Sequence, residues 1–148
     1  MNARTWLIGA ATLALLCCHA PPALAFGSDG PLIKALRDLV AGNITAYDKK
    51  DLNATLSTID TKSPDYETTK NALAEQFKDL DVNARLVDFD YMGHDANEFA
   101  VARVKTKTTG KPGSGFTDNT VDAIMIFHQE NGVWKLWGQK ILAVDTVQ

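Results

Sequence analysis

The stretch VAGNITAYDKKDL (40–52) joins two helical patterns and sets how the first half of the chain is organised. Before it, apolar residues recur at the spacing of a helix, and Pro31 lies where a first helical turn accepts proline. Asp51-Leu52 then opens a second, shorter helix. Asn43 falls on the apolar stripe of the first helix, so its amide either lines a pocket or bonds a structural partner. The other stripe positions are Leu32, Leu36, Leu39, Val40, Ile44 and Tyr47.

A third helix and then a change of period follow. Ser63-Pro64 marks the start of the third helix. After Asp81 the residues alternate in RLVDFDY (85–91) and FAVARVK (99–105), which is typical of strands. VDAIMIFHQ (121–129) is apolar on both faces, as a central strand is, and Asn131-Gly132 turns the chain into VWKLWGQKILAV (133–144). The pattern predicts an α+β domain in which three helices precede an antiparallel sheet of about four strands.

The first predicted hairpin sorts its side chains onto two faces. We pair Tyr91 with Phe99, across the turn signal MGHDAN (92–97). One face then carries Val87, Phe89, Tyr91, Phe99 and Val101, and the other carries Asp88, Asp90, Ala100 and Ala102. The two aspartates form either a solvated face or a general acid/base pair, and alternation on a solvated face explains them.

The first 25 residues have the pattern of a cleavable export signal. Arg4 precedes the apolar run WLIGAATLALLCC, which is too short for a stable membrane anchor, and PPALA presents an A-x-A site. We therefore predict cleavage after Ala25, a single domain over 26–148, and a periplasmic or secreted location. Both cysteines, Cys17 and Cys18, lie in the predicted leader, so the domain has no disulfide.

Composition excludes several classes of function. The net charge of −3 becomes −4 without Arg4, and there is no basic block, so we expect neither nucleic acid nor a membrane surface as partner. His94 and His128 lack the spacing of metal ligands. No Gly-rich phosphate loop or nucleophile elbow is present. We therefore expect no metal, no cofactor and no nucleophilic catalytic residue.

Three motifs resemble those of the nuclear transport factor 2-like (NTF2-like) superfamily, which has a cone-shaped fold of three helices on a curved sheet. They are AYDKKDLNATLSTID (46–60), FTDN (116–119) and NGVWKLW (131–137). The superfamily includes ketosteroid isomerase and many non-catalytic binding or dimerising domains, so the resemblance leaves function open. Aligned on Asp51-Leu52, the helix-1 tyrosine of the isomerase falls on Asn43, and Asp60 and Asp65 do not match its aspartate base. The isomerase constellation therefore does not carry over.

The sequence leads to a non-catalytic module that binds a small apolar ligand or a partner protein. The alternatives are a cone-fold lyase, isomerase or cyclase and a periplasmic inhibitor or immunity-type protein. Four residues are candidates for the pocket: Asn43, Tyr47, Tyr66 and Asp122. Asp122 is either exposed near its strand start or an acid of raised pKa in the cavity. Trp134 and Trp137 point to opposite faces of the last strand, and an outer apolar patch of Ile124, Ile126 and Trp137 predicts a homodimer.

Overall fold

The computed structural model describes residues 29–95 and 98–146 and confirms the predicted α+β architecture. The helices come first: α1 (Gly30–Asp48), α2 (Leu52–Ser57) and α3 (Tyr66–Asp79). The strands follow as β1 (Val82–His94), β2 (Phe99–Gly110), β3 (Asn119–Glu130) and β4 (Val133–Thr146). They form one antiparallel meander in the order β1-β2-β3-β4. The predicted leader lies outside the described residues.

The junction between α1 and α2 follows from the residues of the quoted stretch. Lys50 adopts a left-handed φ of 55°, which ends the first helix. Asp51 then caps the second helix, since its side chain accepts a hydrogen bond of 2.9 Å from the amide of Ala54. No helix within the described part of the chain is both long enough and apolar enough to cross a membrane.

The core lies between α1 and one face of the sheet, which we call the inner face. Leu36 and Val40 of α1 pack with Phe127 and with a row of small residues on β2. Phe127 is completely buried and is the largest such side chain. The row consists of Ala100, Ala102 and Val104, and its small side chains let the helix approach the strand closely. Trp134 packs against the same cluster, which confirms that one tryptophan of β4 faces the helices.

The predicted pairing of Tyr91 with Phe99 is wrong. β1 continues to His94, which pairs with Ala100, and Tyr91 therefore pairs with Ala102. The register shifts twice, between Leu86 and Asp88 and between Tyr91 and Gly93. Each shift is an irregularity of the bulge type, which adds a residue to one strand and changes which side chains share a face.

The corrected register separates apolar and charged side chains on the first two strands. Phe89 pairs with Val104 and belongs to the inner face. Asp88 pairs with Lys105 and Asp90 with Arg103, and these four charged residues lie on the opposite, outer face. The two exposed aspartates therefore face basic neighbours, as on a solvated sheet surface.

A short segment between α2 and α3 extends the sheet beyond β4. We call residues 58–63 the edge loop. Ile59 forms an isolated parallel bridge with Leu136. The amide of Asp60 donates to the carbonyl of Leu136 at 2.8 Å, and the amide of Leu136 donates to the carbonyl of Thr58 at 2.8 Å. The backbone at the start of β4 is therefore hydrogen-bonded to the edge loop on the side away from β3.

Candidate binding cavity

A cavity of about 490 Å³ lies between the helices and the β3–β4 end of the sheet. All three helices and the edge loop contribute to its walls. Its lining residues on the helical side are Asn43, Tyr47, Thr55, Ile59, Ser63, Asp65, Thr68, Thr69, Ala72, Leu73 and Gln76. On the sheet side they are Met125, Leu136, Trp137, Gly138 and Gln139.

The chemistry of the lining is amphipathic and nearly free of charge. Apolar contacts come mainly from Leu73, Met125 and Leu136, whereas hydroxyls and amides come from several polar residues on α1 and α3. Among the described residues that line it there is no lysine, arginine, histidine or cysteine. Tyr47 and Asp65 are the ionisable side chains that line it. Such a cavity suits an uncharged ligand with an apolar body and a polar group.

Tyr47 is a neutral hydrogen-bonding group in this cavity. Its hydroxyl donates to Oε1 of Gln76 at 3.3 Å, and its ring makes an edge contact with Phe77 at a centroid distance of 5.3 Å. Burial raises the pKa of Tyr47, and the nearby carboxylate of Asp48 raises it further. The phenol therefore stays protonated at neutral pH.

Asn43 both lines the cavity and has a structural partner. Its Nδ2 donates to Oγ1 of Thr58 at 2.7 Å, and that hydroxyl donates in turn to the carbonyl of Thr55 at 2.7 Å. The amide thus connects α1 to the C-terminal end of α2. This contact explains a polar residue on an otherwise apolar helical stripe.

Two of the candidate pocket residues lie elsewhere. Tyr66 lines a separate surface depression with Lys70 and Glu130. Asp122 is buried on the outer face, where Nε and Nη2 of Arg103 donate to its two carboxylate oxygens at 2.9 and 2.6 Å. The hydrogen bonds from Arg103 lower the pKa of Asp122. Both interpretations of Asp122, an exposed residue and an acid of raised pKa, are therefore wrong.

The structure brings together a buried histidine cluster that the sequence analysis did not identify. Nδ1 of His128 lies 2.5 Å from Oδ2 of Asp60, and its Nε2 lies 3.3 Å from Oε2 of Glu98. The hydrogen bond with Asp60 raises the pKa of His128, and the contact with Glu98 adds to this. The rings of Phe99 and Trp137 lie 4.7 and 4.9 Å from the imidazole. The sequence signal that could have pointed to this cluster was His128 itself, at the end of an apolar strand.

The three candidate residues for a dimer face lie on the outer face of the sheet. Ile124 and Ile126 are half-buried on the outer face of β3, opposite Arg103 and Val101 of β2. The ring of Trp137 packs on the same face, edge-on against Phe99 at 5.6 Å and against His128, and the residue also contributes to the cavity lining. Further apolar side chains are about half exposed near the end of β4: Ile141, Leu142 and Val144.

The described residues offer no metal centre. Within 29–95 and 98–146, no group of three or more histidine, cysteine, aspartate or glutamate side chains is arranged to hold a metal ion. The cluster around His128 is held instead by hydrogen bonds and ring contacts.

Comparison with known proteins supports the fold. A family model described as "Anti-sigma-I factor RsgI9, C-terminal domain" matches residues 38–147. No curated protein matches the sequence.

Solved structures similar to this chain include a protein of unknown function with a cystatin-like fold from Nostoc punctiforme (TM-score 0.62, 14% identity, 76% of this chain and 90% of that one). An NTF2-like protein of unknown function from Pseudomonas putida has a TM-score of 0.62 at 10% identity and covers 76% and 86%. A ketosteroid isomerase-like protein from Erwinia carotovora atroseptica has a TM-score of 0.58 at 13% identity and covers 83% and 99%. These neighbours confirm the NTF2-like fold.

Proposed function

The chain belongs to the family of the C-terminal domain of the anti-sigma-I factor RsgI9, and we propose that it is a non-catalytic binding module for a small, largely apolar ligand. The observation that carries this proposal is the cavity of about 490 Å³. Its volume lies within the range of small-molecule sites, and such sites combine apolar walls with a few placed polar groups. The family name is that of a regulatory factor and names no reaction.

The lining supports binding rather than catalysis. General acid–base catalysis needs a group whose pKa lies near the working pH. The raised pKa of Tyr47 moves it away from that range, and Asp65 is an exposed residue at the start of α3. Asn43 occupies the position of the isomerase tyrosine and donates its amide to Thr58. A lyase, isomerase or cyclase would therefore lack a buried acid or base in this cavity.

The polar groups define what the ligand carries. Within the described part of the chain no cationic side chain lines the cavity, so a carboxylate or phosphate would be desolvated without a counter-charge there. Thr68, Thr69 and Gln76 present hydroxyl and amide groups from α3, which suit a carbonyl or hydroxyl on the ligand. The apolar part of the ligand would lie against Leu73 and Met125.

The proposal includes assembly and location. The outer face of β3, with Ile124 and Ile126, is the proposed contact between two copies, because half-buried apolar side chains on a sheet face mark an interface. Export by the leader 1–25 would place the module in the periplasm or outside the cell. Trp137 extends this proposed contact, since its ring packs on the same face against Phe99 and His128.

Native mass spectrometry of the domain, purified gently from its exported pool, tests ligand and assembly together. We expect a dimer that carries a reproducible extra mass. A clean monomer with no added mass, in preparations that also fail to bind any neutral apolar dye, would contradict the proposal.

A pair of neighbouring substitutions locates the site. Ala72 lines the cavity at an exposed position, whereas the adjacent Asn71, also exposed, lines none of the cavities described above. We expect Ala72→Trp to abolish binding of Nile red, an uncharged apolar dye, because the indole would block the mouth of the cavity. Asn71→Trp is the matched control and should bind the dye as the unaltered chain does. Equal binding by both variants would show that the dye binds elsewhere.

A further inference from the structure

The edge loop is a wall of the cavity as well as an extension of the sheet. Ile59 and Ser63 line the cavity from this loop, and Thr58 accepts the hydrogen bond from Asn43. Oγ of Ser63 also donates to the carbonyl of Trp137 at 2.6 Å. Movement of the loop away from β4 would therefore open the cavity on this side.

One carboxylate fixes the loop in place. Asp60 is completely buried, and its Oδ1 accepts a hydrogen bond of 2.7 Å from the amide of Lys62. Its Oδ2 contacts Nδ1 of His128 on β3, two strands into the sheet from the loop. The loop is thus tied across β4 by a side-chain contact in addition to its backbone bonds.

Both nitrogens of His128 face carboxylates. Ionised carboxylates only accept hydrogen bonds, and only the imidazolium form of histidine donates from both ring nitrogens. With a neutral ring, the nitrogen that lacks a proton would face an oxygen lone pair of either Asp60 or Glu98. The geometry of the contacts at 2.5 and 3.3 Å therefore suits the protonated ring.

The other charged side chains near this ring form hydrogen bonds with the edge loop or with α2. Lys135, the cross-strand neighbour of His128, donates from Nζ to the carbonyl of Ser57. Glu130, two residues further along β3, accepts a hydrogen bond of 2.6 Å from Thr61. Phe99 and Trp137 cover the ring without ionisable groups. Asp60 and Glu98 are therefore the anions that respond to its charge.

We propose that His128 is a pH-dependent latch: its protonated ring holds the edge loop against β4, and loss of the proton loosens this wall of the cavity. Only the effect of this latch on ligand binding rests on the proposed function. The pKa of His128 is raised in the folded protein, so the stabilisation is complete below the ordinary value of 6.5 and is lost as the pH rises through the folded pKa.

Amide hydrogen exchange measured by NMR tests the latch without any ligand. The amides of Asp60 and Leu136 bond across the loop and the strand and report its opening. We expect their protection, corrected for intrinsic exchange, to fall by about tenfold as the His128 ring titrates, since a charge-assisted hydrogen bond is lost. His128→Gln should remove this pH dependence, and His94→Gln, at the exposed end of β1, should keep it.

Protection that stays constant while the His128 ring titrates would overturn the latch, as would the same pH dependence in His128→Gln. If His128→Gln does not fold, Glu98→Gln serves instead, because Glu98 is exposed and its neutralisation should move the transition to lower pH. An unmoved transition in that variant also counts against the latch. Nile red binding in the same samples separates the two proposals: a chain that never binds the dye but shows the exchange transition retains the latch and loses the binding function.

Discussion

The hydrogen bond between Asn43 and Thr58 offers a sharp test of how α1 and α2 are held together. Nδ2 of Asn43 lies 2.7 Å from Oγ1 of Thr58, and both side chains are half-buried. Asn43→Ala removes the donor, and Thr58→Val removes the acceptor with little change of volume. Thr58→Val also removes the hydroxyl that donates to Thr55, so neither single variant isolates the bond.

Two opposing contributions set the expected change in the free energy of unfolding. A hydrogen bond between neutral groups contributes about 0.5–1.5 kcal/mol net to the free energy of unfolding. Alanine in the interior of a helix stabilises the helix more than asparagine does, by roughly 0.5 kcal/mol. Asn43→Ala alone should therefore destabilise by only a few tenths of a kcal/mol. A double-mutant cycle cancels the helix propensity and the Thr55 bond, and should give a coupling energy of about 1 kcal/mol.

Urea unfolding followed by far-ultraviolet circular dichroism measures each corner of the cycle. Thr120→Val on the outer face of β3 is the matched control for Thr58→Val, and it should be additive with Asn43→Ala. A coupling below about 0.3 kcal/mol would refute the structural role of the Asn43 amide. In that case the amide would be available to a ligand, and Asn43→Ala should weaken Nile red binding.

Three further predictions concern the core, the β2–β3 hairpin and the outer face. Phe127→Ala should lower the free energy of unfolding by about 3–5 kcal/mol, because the ring is completely buried and leaves a cavity, and urea unfolding measures this. Gly110→Ala should lower the melting temperature, since its Cβ would lie 2.9 Å from the carbonyl oxygen of Phe116, and an unchanged temperature in calorimetry would contradict this contact. The lowered pKa of Asp122 adds stability above its ordinary value of 3.8, and this contribution is lost as the pH falls through the folded pKa. Asp122→Asn should therefore show a shallower loss of stability below pH 4 than the unaltered chain does in urea titrations, and Arg103→Gln should resemble it, whereas identical acid profiles would argue against the ion pair.

Local patterns were sufficient for the element order and the fold. Pro31 lies in the first turn of α1, and Asp51 caps α2, because caps and first turns depend on neighbouring residues. The change from helical to alternating periodicity after Asp81 coincides with the start of β1 at Val82. The apolar run of β3 lies between two strands, as its two-sided hydrophobicity indicated.

The alternation of apolar and polar residues did not predict the strand register. The prediction for Tyr91 placed the turn too early: β1 continues to His94, which pairs with Ala100. After the register shift between Tyr91 and Gly93, the partner of Tyr91 is Ala102 rather than Phe99. The position of a turn and of a bulge depends on how twist and packing are resolved across the whole sheet, and the alternation within one strand does not reveal either. For the same reason, the sequence left the face of Asp122 open and did not identify its partner Arg103 on β2.

Part of the candidate site was predicted from the sequence, and part was found only in the structure. Asn43 and Tyr47 were identified from one helical stripe, and both line the cavity. The latch cluster was missed because Asp60 and His128 are 68 residues apart and meet only when the edge loop lies beside β4. By itself the sequence determined the helices, the strands and the family resemblance, since these follow from local periodicity and turn chemistry. Tertiary structure alone decided the register, the cavity wall and the charge partners, because each depends on contacts between residues distant in the chain.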